Sequence, residues 1–173
     1  SDCALTKDQI ELVHTVHESG KKVVGVIFCG RPIALGNVEP YLDAILIAWH
    51  GGTMCAEAAA KILYRDIVPS GKTASTFVRT SGQIPLYYNA TSACREVNGY
   101  YGENPERNYV DVPGSPLYPF GYGLSYTTFE YAGLSVKKDS LALEKVNAGG
   151  AFDVSIKVKN TGTCKGKEVV QLY

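Results

Sequence analysis

Two apolar runs of strand length constrain the fold of this chain more than any other feature. Lys22–Cys29 is almost continuously apolar from Val23 to Phe28, and Ala44–Trp49 is the longest uninterrupted apolar run. Continuous apolar residues are typical of a strand covered on both faces, as in a parallel sheet, whereas a strand with one wet face alternates. Neither run approaches the ~20 residues that cross a bilayer as a helix. We therefore expect two buried parallel strands and no membrane span.

Helix signals precede the first run. Thr6 and Gln9 have the spacing of a capping box, in which each side chain bonds the other's backbone N–H at a helix start. Gly20 has the position of the glycine that ends a helix. A helical apolar stripe lies between these signals, at Ile10, Val13, Val16 and His17.

The alternation of helix and strand patterns continues. A turn of helix is expected near Val38–Leu42, and a longer helix over Met54–Tyr64, which would pack Ala56 and Ala58–Ala60 against the sheet. Thr73–Val78 is predicted to be a third strand. Such alternation favours an open α/β layer, and three strands are few for a complete sheet.

The second half of the chain has a different composition. Residues 81–128 are rich in Tyr, Gly, Pro and Asn without a sustained period, as in a functional loop. Three strand-length segments follow, and they predict a β-sandwich: Phe129–Val136, Phe152–Lys159 and Glu168–Tyr173. Because a sandwich of this kind needs about seven strands, we expect only part of one here. The predicted organisation is a partial α/β domain over 1–80, a connecting loop over 81–128 and a partial all-β domain over 129–173.

Composition excludes several classes of function. Lys plus Arg and Asp plus Glu both number 17, so the balanced chain has no electrostatic footprint for nucleic acid or an anionic membrane. The five cysteines are widely spaced without a Cys-x-x-Cys pair, which favours free thiols over disulfides and argues against structural zinc. His14 and His17 lie one helical turn apart, but no third ligand joins them at a suitable spacing. We expect no metal and no cofactor.

Motifs for hydrolysis are also missing. No Gly-x-Ser-x-Gly nucleophile elbow occurs, and Gly121–Ser125 neither follows a strand nor opens a helix, so a tight turn is the better interpretation. Glycosidase chemistry needs two carboxylates roughly 5 to 10 Å apart. Glu103, Glu106 and Asp111 lie in the loop, but nothing singles out a pair.

Three residues at the predicted strand ends are candidates for contacts with a substrate. Arg31 follows the first strand, and His50 and Thr53 follow the second. In open α/β sheets ligands bind at the carboxyl ends of the strands, so these side chains could contact sugar hydroxyls or form a cleft wall. The alternative is a set of ordinary loop residues with a capping role. The tyrosines of the loop leave a similar choice between stacking on sugars and packing between domains.

Several motifs, in order along the chain, resemble family 3 glycoside hydrolases of the β-glucosidase and β-xylosidase type. The matching segments are Gly30–Leu35, Asp43–Trp49, Pro69–Lys72, Ser81–Asn89, Ser115–Phe129, Val158–Gly162 and Glu168–Tyr173. The Ser115–Phe129 segment is the strongest match. His50-Gly51-Gly52 departs from the Tyr-Pro-Gly or His-Pro-Gly of many members.

The resemblance implies the fold and the activity of a longer enzyme. It implies a (β/α)8-type barrel, then an α/β/α sandwich with a mostly parallel sheet, then an immunoglobulin-like, fibronectin type III-like domain. This chain would hold part of the sandwich and the beginning of the fibronectin-like domain. The family's aspartate nucleophile lies on the barrel, and its glutamate acid/base lies upstream of the stretch matching Leu5–Gln9. No catalytic residue is therefore expected within this chain.

The implied function is that of a retaining exo-β-glycosidase acting on an oligosaccharide or an aryl or alkyl β-glycoside. The alternative is a non-catalytic scaffold or carbohydrate-contacting module. Exposed strand edges would let the isolated chain self-associate. The sequence leaves open whether the parent is cytoplasmic, periplasmic or secreted.

Overall fold

The structure is a computed structural model that describes residues 2–89, 111–137, 147, 149–151 and 153–173. The helices with described bounds are α1 (Lys7–Glu18) and α2 (Cys55–Leu63), with short 3₁₀ helices at Glu39–Tyr41 and Ser81–Gln83. The strands are β1 (Val24–Ile27), β2 (Ala44–Ile47), β3 (Phe129–Val136) and β4 (Val154–Asn160). In the part of the chain described, no helix is both long and apolar enough to cross a lipid bilayer.

The described residues form two compact units. The first comprises residues up to Ile67, residues within Gly71–Gly123, and Tyr173. The second comprises Val68–Ser70 and residues within Leu124–Leu172.

The start of α1 confirms the capping box. The Thr6 hydroxyl accepts from the Gln9 backbone N–H at 3.4 Å, and the Gln9 side chain accepts from the Thr6 N–H at 3.0 Å. The helix ends as predicted, because Ser19 is its C-cap and Gly20 has a φ of +72°. That left-handed conformation favours glycine, which has no Cβ to clash.

Strands β1 and β2 pair in parallel, as predicted. The register joins Val24 to Ala44 and Ile27 to Ile47. The expectation that both strands are buried is wrong, because every residue in them is half-buried or exposed and Val24 is 47% exposed. These two strands form the whole of their sheet within the described residues, which leaves apolar surface uncovered.

The main core of the first unit lies where α1 and the sheet meet the segments after β1. Its fully buried members are Leu35, Val38 and Phe77. Ile10 and Val13 of the predicted stripe pack against this core, whereas Val16 remains 39% exposed. The helical turn predicted near Val38–Leu42 is the Glu39–Tyr41 3₁₀ helix.

Two further predictions for this unit are wrong. Thr73–Val78 is not a third sheet strand, because its backbone groups bond to the loop segment instead: the Phe77 N–H donates to the Tyr118 carbonyl at 2.8 Å in an isolated antiparallel bridge. Helix α2 occurs where predicted, but Ala59 is its only buried residue, and Ala56, Ala58 and Ala60 are exposed.

The second unit is built on an antiparallel pair of β3 and β4. The register joins Phe129 to Asn160 and Val136 to Val154, with an irregularity between Ala132 and Ser135. Both strands were predicted within two residues of their observed ends. The third predicted strand, Glu168–Tyr173, is wrong, since those residues form no regular ladder in the described structure.

Candidate functional site

The carboxyl ends of β1 and β2 bring the candidate residues to one end of the sheet. The parallel pairing continues past Ile27, whose carbonyl accepts from the Ala48 N–H at 2.8 Å. The chain then turns away at Gly30 and Arg31 on one side and at His50 on the other. Arg31 and His50 therefore both follow the carboxyl end of a strand in the same parallel pair, as the sequence predicts.

Trp49 makes the turn at the end of β2 with an unusual backbone. Its φ is +49°, in the left-handed region that bulky residues rarely adopt. Such a conformation costs of the order of 1–3 kcal/mol and persists only where surrounding contacts impose it. The indole ring packs against Phe77, with centroids 5.7 Å apart, and Phe77 is fully buried. The packing of the ring anchors the turn that precedes His50.

The His50 side chain lies directly over the backbone of Gly30. A Cβ atom built on Gly30 would stand only 2.4 Å from the His50 Nε2 atom, so any side chain there would displace the ring. His50 itself is exposed. The absence of a side chain at Gly30 thus creates the space that the imidazole occupies.

Arg31 is fixed by the N-terminal segment. Its Nη2 donates to the Asp2 carbonyl at 3.1 Å. The Asp2 carboxylate accepts from the Ser81 hydroxyl and from the Ala4 N–H, and these bonds lower the pKa of Asp2. Asp2 is therefore ionised at neutral pH and connects Arg31 with the segment around Ser81.

Thr53 lies in the turn that leads into α2 and is exposed. This turn is compact: the Cys55 N–H donates to the Gly52 carbonyl at 3.2 Å, and Gly51 leaves no room for a Cβ beside the Cys55 sulfur. In the described structure the Thr53 side chain forms no hydrogen bond with His50 or Arg31. The structure therefore brings Arg31 and His50 to one end of the sheet, and places Thr53 farther along the same turn.

One thiol near the site is Cys29, which lies two positions before Arg31 and is buried. Burial raises the pKa of the Cys29 thiol, although a backbone hydrogen bond from Arg31 opposes the shift. A thiol with a raised pKa is a poor nucleophile at neutral pH. Cys3, Cys29, Cys55 and Cys164 are free thiols, as expected, and Cys94 lies outside the described residues.

An open depression of about 520 Å³ lies beside Asp2, Asn37 and Arg79. The main cationic group of this depression is hydrogen-bonded within the protein, since the Arg79 guanidinium donates to the Ser115 and Pro116 carbonyls at 3.2 and 3.3 Å. Gln83 follows the lining residues in sequence and is 1% exposed, and its side-chain oxygen accepts from the Arg79 N–H at 2.6 Å. These contacts tie residues 79–83 to residues 113–116.

The histidines of α1 have structural partners. His14 Nε2 lies 3.4 Å from the Asn37 carbonyl, and His17 Nδ1 lies 3.1 Å from the Tyr41 carbonyl. Both rings also contact the Tyr41 ring. Across the described ranges, no group of three or more His, Cys, Asp or Glu side chains could hold a metal ion.

The aromatic side chains of the loop that can be placed in the first unit pack on one another. Tyr88 stacks on Phe120 with centroids 4.5 Å apart, and Tyr118 stacks on Tyr122 at 5.1 Å. The Tyr118 hydroxyl donates to Glu39 at 3.3 Å. Glu103, Glu106, Tyr100, Tyr101 and Tyr109 lie outside the described residues, while Asp111 is exposed.

Comparison with known proteins identifies the family. The profile of the Glycosyl hydrolase family 3 C-terminal domain matches residues 1–126. The chain belongs to glycosyl hydrolase family 3. It is 37% identical over its whole length to a "Periplasmic beta-glucosidase" of Salmonella typhimurium and 36% identical to a "Beta-xylosidase" of Formosa agariphila.

Solved family 3 structures share the fold. The β-glucosidase of Listeria innocua in complex with isofagomine superposes with a TM-score of 0.74 at 34% identity, over 92% of this chain and 22% of that one. A β-glucosidase from Erythrobacter marinus gives a TM-score of 0.77 at 37% identity, over 93% of this chain and 19% of that one. The chain likewise spans 22% of the length of the Salmonella and Formosa relatives.

Sequence reasoning missed three residues that organise this end of the family 3 domain. In the sequence, Gly30 stands out only as the first residue of a family-like segment, and Trp49 only as the end of an apolar run. The positive φ at Trp49 has no signal in a single sequence beyond the glycines that follow it. Gln83 had a weak signal, because Thr80 and Gln83 have capping-box spacing.

Proposed function

We propose that this chain is the C-terminal part of a retaining exo-β-glycosidase, a β-glucosidase or β-xylosidase, that hydrolyses the O-glycosidic bonds of oligosaccharides or of aryl and alkyl β-glycosides. The observation that carries the proposal is the end-to-end match to relatives with both names, at 36–37% identity. Sugar-ligand complexes among the similar structures support the substrate class.

The proposed layout divides the chain into three parts. Residues 1–80 would belong to an α/β/α sandwich, 81–128 would connect, and 129–173 would begin a fibronectin type III-like domain. The parallel pairing of β1 with β2 supports the first assignment, and the antiparallel β3–β4 pair supports the last.

Within this layout the chain contributes to a substrate cleft but not to the chemistry. Arg31, His50 and Thr53 follow the carboxyl ends of β1 and β2, the location at which open α/β sheets bind ligands. The two carboxylates that a retaining glycosidase requires would come from elsewhere in the parent polypeptide.

A direct test has two parts. The purified chain should give no turnover of aryl β-glucosides or aryl β-xylosides above a buffer blank. Turnover that is abolished by Glu103→Gln or Glu106→Gln would contradict the proposal, because the chemistry would then reside in this chain.

The second part replaces the matching 173 residues of the Salmonella β-glucosidase with this chain. We expect the chimera to hydrolyse an aryl β-glycoside, and a His50→Ala chimera to lose kcat/KM by about tenfold, the loss of one good hydrogen bond. His17→Ala in the same chimera is the matched control. A folded but inactive chimera would favour the alternative function, a non-catalytic module that provides scaffold or sugar contacts.

A further inference from the structure

We infer that Trp49 and Gly30 are positioning residues that hold the His50 imidazole ready to hydrogen-bond a hydroxyl group of a bound β-glycoside. The inference rests on the proposed function and deepens it. It assigns a role in ligand binding to the left-handed turn at Trp49 and to the close approach of Gly30.

The first argument is that the described residues provide no partner for the His50 side chain. Among the residues that the structure describes, none forms a hydrogen bond or ring contact with its imidazole, which is exposed. His14 and His17 provide the contrast, because each bonds a backbone carbonyl and contacts Tyr41. A neutral imidazole carries one donor and one acceptor, the pair that a sugar hydroxyl complements.

The second argument is that the ring is nevertheless confined. The imidazole occupies the space that a side chain at Gly30 would fill, with Nε2 only 2.4 Å from the ideal Cβ position. An exposed histidine without partners would ordinarily sample several rotamers. Contact with the Gly30 backbone restricts that freedom, so less conformational entropy is lost when a ligand binds.

The third argument concerns the unfavourable backbone at Trp49. Gly52 in the same turn also has a positive φ, of 65°, as glycine readily adopts, yet at Trp49 the left-handed conformation falls on a residue with a bulky indole side chain. The ring is anchored on the fully buried Phe77, which fixes where the turn occurs. Backbone strain of this kind concentrates at ligand sites, where it preorganises contacts. Here the turn leads directly into His50.

The test is a ligand titration followed on the three histidine side chains by NMR. The probes are methyl β-glucoside and methyl β-xyloside, added to the full chain and to three variants. Gly30→Ala pushes the His50 ring away, and Trp49→Gly removes the indole anchor while tolerating the positive φ. Gly71→Ala is the matched control, because a Cβ there meets no atom of the described residues within 4 Å.

We expect the His50 resonance to respond to a glycoside in the wild-type chain and in Gly71→Ala. The half-saturation concentration should rise at least about tenfold in Gly30→Ala and in Trp49→Gly, which corresponds to about 1.4 kcal/mol of lost binding. His14 and His17 should not respond, and their unchanged resonances report that each variant is folded.

The outcomes separate the two claims. Equal affinity in all four proteins would overturn the positioning roles and leave the proposed cleft intact. If the His50 resonance of the wild-type chain does not respond to either glycoside, His50 does not belong to the cleft and the inference is overturned. A lower stability of Gly30→Ala in urea, with unchanged affinity, would show a purely structural glycine and would also overturn the inference. If Gly30→Ala or Trp49→Gly shifts the His14 and His17 resonances, the affinity of the other variant decides the test.

Discussion

Replacing Gln83 with alanine should destabilise the first unit far more than replacing an exposed glutamine. The Gln83 side-chain oxygen accepts from the Arg79 N–H at 2.6 Å, and its nitrogen donates to the Pro113 carbonyl at 2.8 Å. Weaker bonds join the same amide to the Thr80 N–H and the Ser115 carbonyl. The alanine variant would leave the Arg79 N–H and the Pro113 carbonyl without these partners. Gln83 is 1% exposed, so water has little access to replace them.

The size of the effect follows from those two groups. An orphaned buried donor or acceptor costs about 1–3 kcal/mol, so we expect Gln83→Ala to lose about 3 kcal/mol of unfolding free energy. That is a large share of the roughly 5–15 kcal/mol that stabilises a typical domain. Gln9 is the matched control: its side chain bonds one exposed backbone N–H, and Gln9→Ala should cost about 0.5–1 kcal/mol.

Urea unfolding followed by Trp49 fluorescence measures both variants, because the chain has a single tryptophan and its ring packs within the same unit. With a slope of about 2 kcal/mol per molar, the Gln83→Ala midpoint should fall by about 1.5 M. Gln83→Glu keeps the volume but directs a carboxylate at two carbonyl oxygens, so it should be no more stable than the alanine variant. If Gln83→Ala and Gln9→Ala differed by less than about 0.5 kcal/mol, the argument from buried hydrogen bonds would be refuted.

Three further predictions concern other parts of the chain. Gly36→Ala places a Cβ 2.6 Å from the Arg79 carbonyl oxygen and should lower the free energy of unfolding in urea by about 1–3 kcal/mol. Gly71→Ala is the control, because a Cβ there meets no described atom within 4 Å. Equal effects of the two substitutions would contradict the steric argument. Burial and a neighbouring glutamate raise the pKa of Tyr118 from 10.0 to about 12, so the stability it provides is complete below pH 10 and declines as the pH rises towards 12. Tyr118→Phe should therefore flatten the alkaline fall in the urea midpoint, and an unchanged pH profile would argue against it. The isolated chain should self-associate through the apolar surface of its strands, so its weight-average mass in sedimentation should rise with concentration. Leu134 is 67% exposed, and Leu134→Lys should reduce this rise. A wild-type chain that stays strictly monomeric would disprove the prediction.

Elements whose signals are local could be predicted from sequence. The α1 start depends on Thr6 and Gln9, and its end on Gly20, all within a few residues of the helix they delimit. Strand β3 was predicted with its observed bounds, Phe129–Val136, because a period-2 pattern between turn residues needs no knowledge of the partner. Helix ends and strand bounds that depend on nearby residues can therefore be predicted from a single sequence.

The two strands that were wrongly predicted show where that reasoning ends. Thr73–Val78 has a suitable composition, but its backbone groups bond to Tyr118 and neighbouring residues that lie forty or more positions away in the chain. Glu168–Tyr173 is equally apolar and forms no ladder in the described structure. A strand requires a partner at the correct distance and register, and strand propensity alone does not provide one.

The placement of the candidate residues after the strand ends was predictable, whereas the contacts that hold them were not. The carboxyl-end rule selected Arg31 and His50 because it requires only the order of strands and turns. The left-handed backbone at Trp49 and the close approach of His50 to Gly30 depend on tertiary packing. A single sequence contains no direct signal for either contact.

Arg31 and His50 are held by different contacts, so mutations that disturb one set of contacts should leave the other residue in place. Arg31 depends on a chain of bonds, because it donates to the Asp2 carbonyl and the Asp2 carboxylate is bonded by Ser81, which lies within the 3₁₀ helix that ends at Gln83. His50 depends instead on the Gly30 backbone and the turn before it. A substitution that weakens the contacts of residues 81–83 should therefore displace Arg31 through Asp2 and leave His50 in place. In the chimera, Ser81→Ala should weaken glycoside binding additively with His50→Ala, since sites without shared partners add within about 0.5 kcal/mol. A marked departure from additivity would show that both residues belong to one coupled network.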